Sequence, residues 1–70
     1  MRGAEFIRSV RRYAKERGLP CEWHPDLGKG SHGVLTLGDR RTVVRNPKDE
    51  LKKGTLHAML AQLGLTLKDL

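Results

Sequence analysis

The chain holds a single cysteine, Cys21, so no intramolecular disulfide can brace it, which fits a reducing cytoplasm. One cysteine and three scattered histidines make no zinc-ligand spacing, and no carboxylate cluster stands ready for a divalent ion. Neither a metal nor another cofactor is therefore expected. No apolar run approaches a membrane-spanning length, and the first residues lead into an amphipathic stretch rather than an apolar signal core. No membrane association is expected, and no repeat or low-complexity stretch appears. The 70 residues leave space for one modest core near the lower limit for independent folding, so residues 1–70 are expected to form one domain with any site on its surface.

What the chain has in excess is positive charge. Fourteen Lys and Arg stand against eight Asp and Glu, a formal net charge of +6. The basic residues cluster, which points to a polyanionic partner: nucleic acid, an acidic membrane surface or an acidic protein. A hydrophobic content of 37% with clear apolar periodicity argues against disorder.

Periodicity lays out five elements. Over residues 4–17, Phe6, Ile7, Val10 and Ala14 make one helical stripe, with Arg8, Arg11, Arg12 and Lys15 off it and Gly18 as the closing residue. Residues 20–24 read as a strand bounded by Pro20 and Pro25, with Cys21 and Trp23 on one side and Glu22 and His24 on the other. Residues 32–37 and 40–45 read as two more strands joined at Gly38-Asp39. Leu35, Leu37, Thr42 and Val44 then face a core. With a two-residue turn, His32 lies directly across from Arg45 on the opposite face, while a three-residue turn flips that parity. Asn46-Pro47 ends the third strand, Leu51 is the lone apolar anchor of a charged linker, and Gly54-Thr55 opens a second helix. Its stripe is Leu56, Met59, Leu60 and Leu63, and Gly64 closes it. Thr66-x-x-Asp69 signals a last turn. The order is αβββα, an α+β fold whose three-stranded antiparallel sheet is covered by helices on one face and open on the other.

The densest chemical signal is Gly28-Lys29-Gly30-Ser31-His32, just ahead of the second strand. Glycines let a backbone approach a partner closely, lysine and serine donate to phosphate oxygens, and histidine exchanges protons near neutral pH. A phosphate-holding loop that delivers a histidine onto a sheet suits RNA cleavage. His32 is the candidate general base, with Lys29, Gly30, Ser31 and Arg45 as candidate phosphate contacts. Duller readings stand beside these. Lys29 and Arg45 are as well explained as solvated charges, His24 is a lesser candidate base, His57 is expected to be merely exposed, Trp23 to pack in the core, and Cys21 to be a small buried filler.

These residues also resemble a known family. Gly3-Ala4-Glu5, Lys29-Gly30-Ser31-His32, Arg41-Thr42-Val43-Val44, Asn46-Pro47, Leu51-Lys52-Lys53-Gly54-Thr55-Leu56 and Leu60-Ala61-Gln62-Leu63-Gly64-Leu65 are similar to the HicA-type (YcfA-like) mRNA interferase toxins. The resemblance implies a fold like that of double-stranded-RNA-binding domains, metal-independent endoribonuclease activity on mRNA, a catalytic histidine at His32, and a cognate acidic HicB-like antitoxin. Three departures stand out: Gly33 where a second histidine or polar residue is common, Arg2 where a helix-capping Ser or Thr is common, and a longer loop before Lys29. A non-catalytic double-stranded-RNA-binding module, or a structural subunit whose charge serves only an acidic protein, would share the basic surface but would not need His32.

Overall fold

The computed structural model describes residues 1–27 and 32–70. Its elements are α1 (Gly3–Arg17), β1 (Cys21–His24), β2 (Gly33–Leu37), β3 (Arg40–Val44), α2 (Lys53–Leu63) and a closing 3₁₀ turn, Leu67–Asp69. This is the expected αβββα order. Each strand is one residue shorter than the pattern suggests: Pro20, His32 and Arg45 lie just beyond the paired ladder.

The strands form one antiparallel sheet in the order β1-β2-β3, so β1 and β3 are its edges. The connection between β2 and β3 is the two-residue turn, with Gly38 at φ 61°, a conformation that an L side chain resists at the first position of a tight hairpin. It fixes the register as Leu35 opposite Thr42 and Gly33 opposite Val44. On the other side Trp23 pairs with Leu35 and His24 with Val34. Alternation then buries Leu35, Leu37, Thr42 and Val44 on the inner face. The helices cover that face, α1 against β1 and β2, and α2 against β3.

The core joins Phe6, Ile7, Val10 and Ala14 of α1 to Leu35, Leu37 and Val44, and to Met59, Leu60, Leu63 and Leu65. Each large side chain fully removed from water contributes roughly 1.5–3 kcal/mol. A chain of this size holds a net stability of only about 4–10 kcal/mol, so truncating one core leucine removes much of it. Thr42 is the only buried polar residue among those described, and its hydroxyl donates to Gln62 Oε1 of α2 at 2.5 Å. That bond makes a threonine acceptable inside an apolar layer.

The start of α1 is held by a distant stretch of chain. The first N–H groups of a helix lack partners within it. Here Gly3 N–H donates to the Asp49 carbonyl at 3.0 Å and Ala4 N–H to the Pro47 carbonyl at 2.8 Å. Arg2 adds a bond from Nη1 to the Lys48 carbonyl at 2.9 Å, and Leu51 N–H returns one to the Met1 carbonyl at 2.9 Å. The capping box expected to be missing is half there: Arg2 N–H donates to Glu5 Oε1 at 3.1 Å, while the arginine side chain offers no acceptor for the other half. At the far end of the chain, Thr66 N–H and Oγ1 both donate to Asp69 Oδ2, at 2.8 and 3.2 Å, as the Thr-x-x-Asp pattern predicts.

The docking demands a glycine at position 3. A Cβ there would lie 2.9 Å from Pro47 Cα and 3.0 Å from the Asn46 carbonyl oxygen, both backbone atoms that cannot swing aside. Gly54 in α2 faces open space. Gly3→Ala is therefore expected to destabilise by about 1–3 kcal/mol, lowering the melting temperature by roughly 4–8 °C per kcal/mol, and Gly54→Ala to leave it unchanged or raise it. Thermal denaturation of both variants checks this, and equal melting temperatures would refute it.

Candidate functional site

The open face of the sheet is built by the same alternation that builds the core. Its rows, read across the strands, are Glu22–Thr36–Arg41 and His24–Val34–Val43. The β2–β3 register ends at the pair Gly33–Val44; His32 immediately precedes Gly33 and Arg45 immediately follows Val44, so the two lie at the same end of the ladder. His32 is half-buried and belongs to no part of the core, and Arg45 is exposed. Val43, 49% exposed beside the half-buried Val34, gives the face an apolar centre between cationic margins. Of the candidate site residues, His32 and Arg45 are the described ones, and both lie just past the last pair of the ladder. Lys29, Gly30 and Ser31 lie outside the described residues.

Two side chains that the pattern singled out only weakly join this face. The Glu22 carboxylate and the His24 imidazole meet at 3.2 Å between Oε2 and Nε2. The signal for the pair is present in the sequence, since residues i and i+2 of a strand share a face and Glu22-x-His24 sets a carboxylate beside a histidine. His24 pairs with Val34, and His32 lies two residues before Val34, just ahead of β2.

Behind them, on the inner face, the Trp23 ring lies across Gly33. A Cβ on Gly33 would fall 2.3 Å from Trp23 Cη2. Gly33, a departure from the family pattern as read from sequence, is thus the residue that admits the indole. Trp23 packs against the core but stays partly exposed, because β1 is an edge strand. Cys21 is likewise only half-buried rather than a buried filler. Burial nonetheless pushes its thiol up, which keeps it in the weakly nucleophilic protonated form at neutral pH. His57 is exposed on α2, as expected.

Several concavities adjoin the sheet, one of about 410 Å³ lined by Val34, Arg41, Thr42, Val43 and Gln62. A groove of about 490 Å³ runs beside β1, lined by Arg8, Arg11, Arg12, Lys15, Leu19 and Cys21. A cleft of about 350 Å³ adjoins Arg45, between Val43 and the Asp49–Lys52 linker. None of these is lined by His32. The groove is the largest of them, but its lining holds no group suited to proton transfer at neutral pH, so the candidate chemistry belongs to the sheet. Among the described residues, no three His, Cys, Asp or Glu side chains gather into a set that could hold a metal ion, and no helix is long and apolar enough to cross a membrane.

The described residues thus form an αβββα domain whose sheet is covered by helices on one face and open on the other. The family model described as "HicA toxin of bacterial toxin-antitoxin" matches residues 21–65, which is most of the chain and spans β1 to the end of α2. The chain belongs to the HicA toxin family and is the toxin of a toxin–antitoxin system, with an antitoxin as partner. No curated protein and no solved structure matches it significantly.

The contact between Trp23 and Gly33 yields a direct test of how the site is held. Gly33→Ala is expected to displace the indole, red-shift the emission of this only tryptophan and destabilise by about 1–3 kcal/mol. Adding Trp23→Leu should make the second change far less costly, a coupling of roughly 0.5–3 kcal/mol in a double-mutant cycle. Strictly additive effects would mean that the two residues do not share the space.

Proposed function

We propose that this toxin acts by cutting RNA, with mRNA as its target, and that His32 is the general base of a metal-independent cleavage. The observation that supports the reading is the position of His32: a half-buried histidine outside the core, at the same end of the β2–β3 ladder as Arg45. RNA brings its own nucleophile. Once a base takes the 2′-hydroxyl proton, that oxygen attacks the adjacent phosphorus in line and the 5′-oxygen leaves. Positioned acid–base help from one histidine is worth roughly 10²–10⁴-fold. Arg45, with Lys29 and the backbone of Gly30 and Ser31, would hold the phosphate and stabilise the charge that builds on its oxygens.

The expected products carry a 2′,3′-cyclic phosphate or its hydrolysis product, and cleavage is expected to survive EDTA. His32→Ala should lower the rate by at least ~10²-fold with no change in melting temperature. Cleavage assays on purified protein with end-group analysis check this. A His32→Ala variant that cuts RNA at the wild-type rate removes the assignment. A variant that retains RNA binding, paired with a wild type that never cuts, leaves a non-catalytic double-stranded-RNA-binding module as the better description.

The same face suits the antitoxin. A basic surface of this kind attracts an acidic HicB-like protein, and a partner lying over His32 and Arg45 would exclude RNA from the imidazole. Neutralising Arg45 or Lys29 is expected to slow association and flatten its dependence on salt, and to weaken RNA binding in parallel. Stopped-flow mixing of Arg45→Ala and Lys29→Ala with the antitoxin measures this. Unchanged association rates in both would direct the antitoxin elsewhere, such as the helical side.

A further inference from the structure

Cleavage of an RNA backbone moves two protons. One leaves the attacking 2′-hydroxyl, and one must reach the departing 5′-oxygen, which is a poor leaving group as an alkoxide. His32 accounts for the first. We propose that His24 supplies the second, as the proton donor to the leaving 5′-oxygen, oriented by Glu22; this rests on the ribonuclease reading above.

Three observations converge on this residue. Side-chain alternation puts His24 on the open face, paired with Val34, and the same alternation carried one residue past Gly33 sets His32 diagonal to it, two residues before Val34. Diagonal positions across an antiparallel pair lie ~7–8 Å apart at the backbone, a gap that two imidazoles can bridge with a phosphodiester between them. The Glu22 carboxylate sits 3.2 Å from one ring nitrogen of His24, which fixes the ring's orientation and leaves the other nitrogen for a substrate. The imidazole keeps 34% of its surface accessible, so a leaving group can reach it. Finally, Trp23 and Gly33 interlock on the inner face directly behind the two histidines, each being the chain neighbour of one of them. One ring-to-backbone contact thereby holds both strand ends that carry the pair.

The step balances without any further reactant. The O2′–P bond forms as the P–O5′ bond breaks. The 2′-hydroxyl proton passes to His32 and a proton from protonated His24 passes to O5′. The products are a 2′,3′-cyclic phosphate and a free 5′-hydroxyl, and exchange with water restores both rings. In this scheme His24 touches a reacting atom, whereas Glu22 is a positioning residue.

The test separates a proton donor from a merely structural histidine. Two RNA oligonucleotides of one cleavable sequence are compared, one natural and one with the bridging 5′-oxygen at the cleaved bond replaced by sulfur. A thiol's ordinary pKa is ~8.5, so the sulfur departs as thiolate without a donated proton. His24→Ala is expected to slow the natural substrate by ~10²-fold or more and to leave the sulfur-bridged one within about threefold of wild type. His32→Ala should slow both. Glu22→Gln should fall between wild type and His24→Ala on the natural substrate and match wild type on the sulfur-bridged one. If His24→Ala cuts both substrates at the wild-type rate, or slows both equally, the assignment is wrong while the ribonuclease reading stands. If the wild-type protein cuts neither, the ribonuclease reading fails and this assignment falls with it.

Discussion

The parity of one hairpin governs the molecule. Two residues, Gly38 and Asp39, join β2 to β3, and that number sets which side chains of both strands face the helices. With this turn Leu35 and Leu37 share the interior with Thr42 and Val44, and the alternate set meets solvent. A slip of one residue between the two strands would oppose the buried set of one to the exposed set of the other. The apolar core and the histidine-bearing face are therefore two sides of a single constraint. The register that buries Leu35 is the register that turns Val43 outward.

Most of this frame could be read directly from the residues. The stripe of Phe6, Ile7, Val10 and Ala14 and that of Met59, Leu60 and Leu63 locate the helices because burial is periodic and the period is visible. The strand alternation and the Gly38-Asp39 turn give the sheet and its two faces for the same reason. Hydrophobic pattern does not reveal where pairing stops, so it extends each strand by one residue; His32 and Arg45 sit where β2 and β3 have run out of partners. What was not legible depends on contacts across the fold. Gly33 looks like a missing polar group until Trp23, ten positions earlier, is seen lying against it. Alternation puts Glu22 and His24 on the polar side of a strand, but their contact depends on the rotamers that the two side chains adopt.

The first helix shows the same limit from another direction. Its sequence offers no conventional cap, because Arg2 cannot accept the N–H groups that a serine or threonine would. Carbonyls from Pro47 and Asp49 do so instead, from more than half the chain away. Asn46, whose side chain accepts the Lys48 N–H at 3.0 Å, turns the backbone so that those carbonyls point toward α1. The segment that ends β3, and so sets the level of Arg45, is thus also the one that receives the N-terminus. The family match begins at β1, so this helix is joined to the matched region by hydrogen bonds as well as by its apolar stripe.

The sheet has only three strands, and among the described residues nothing pairs with the outer edge of β1 or of β3. An unpaired edge invites another strand, including one from an identical molecule. Arg40 and Arg41 begin β3, and Arg45 directly follows it. Positive charge along an open edge opposes the approach of an identical edge, and so guards a sheet this small against ribbon-like self-association.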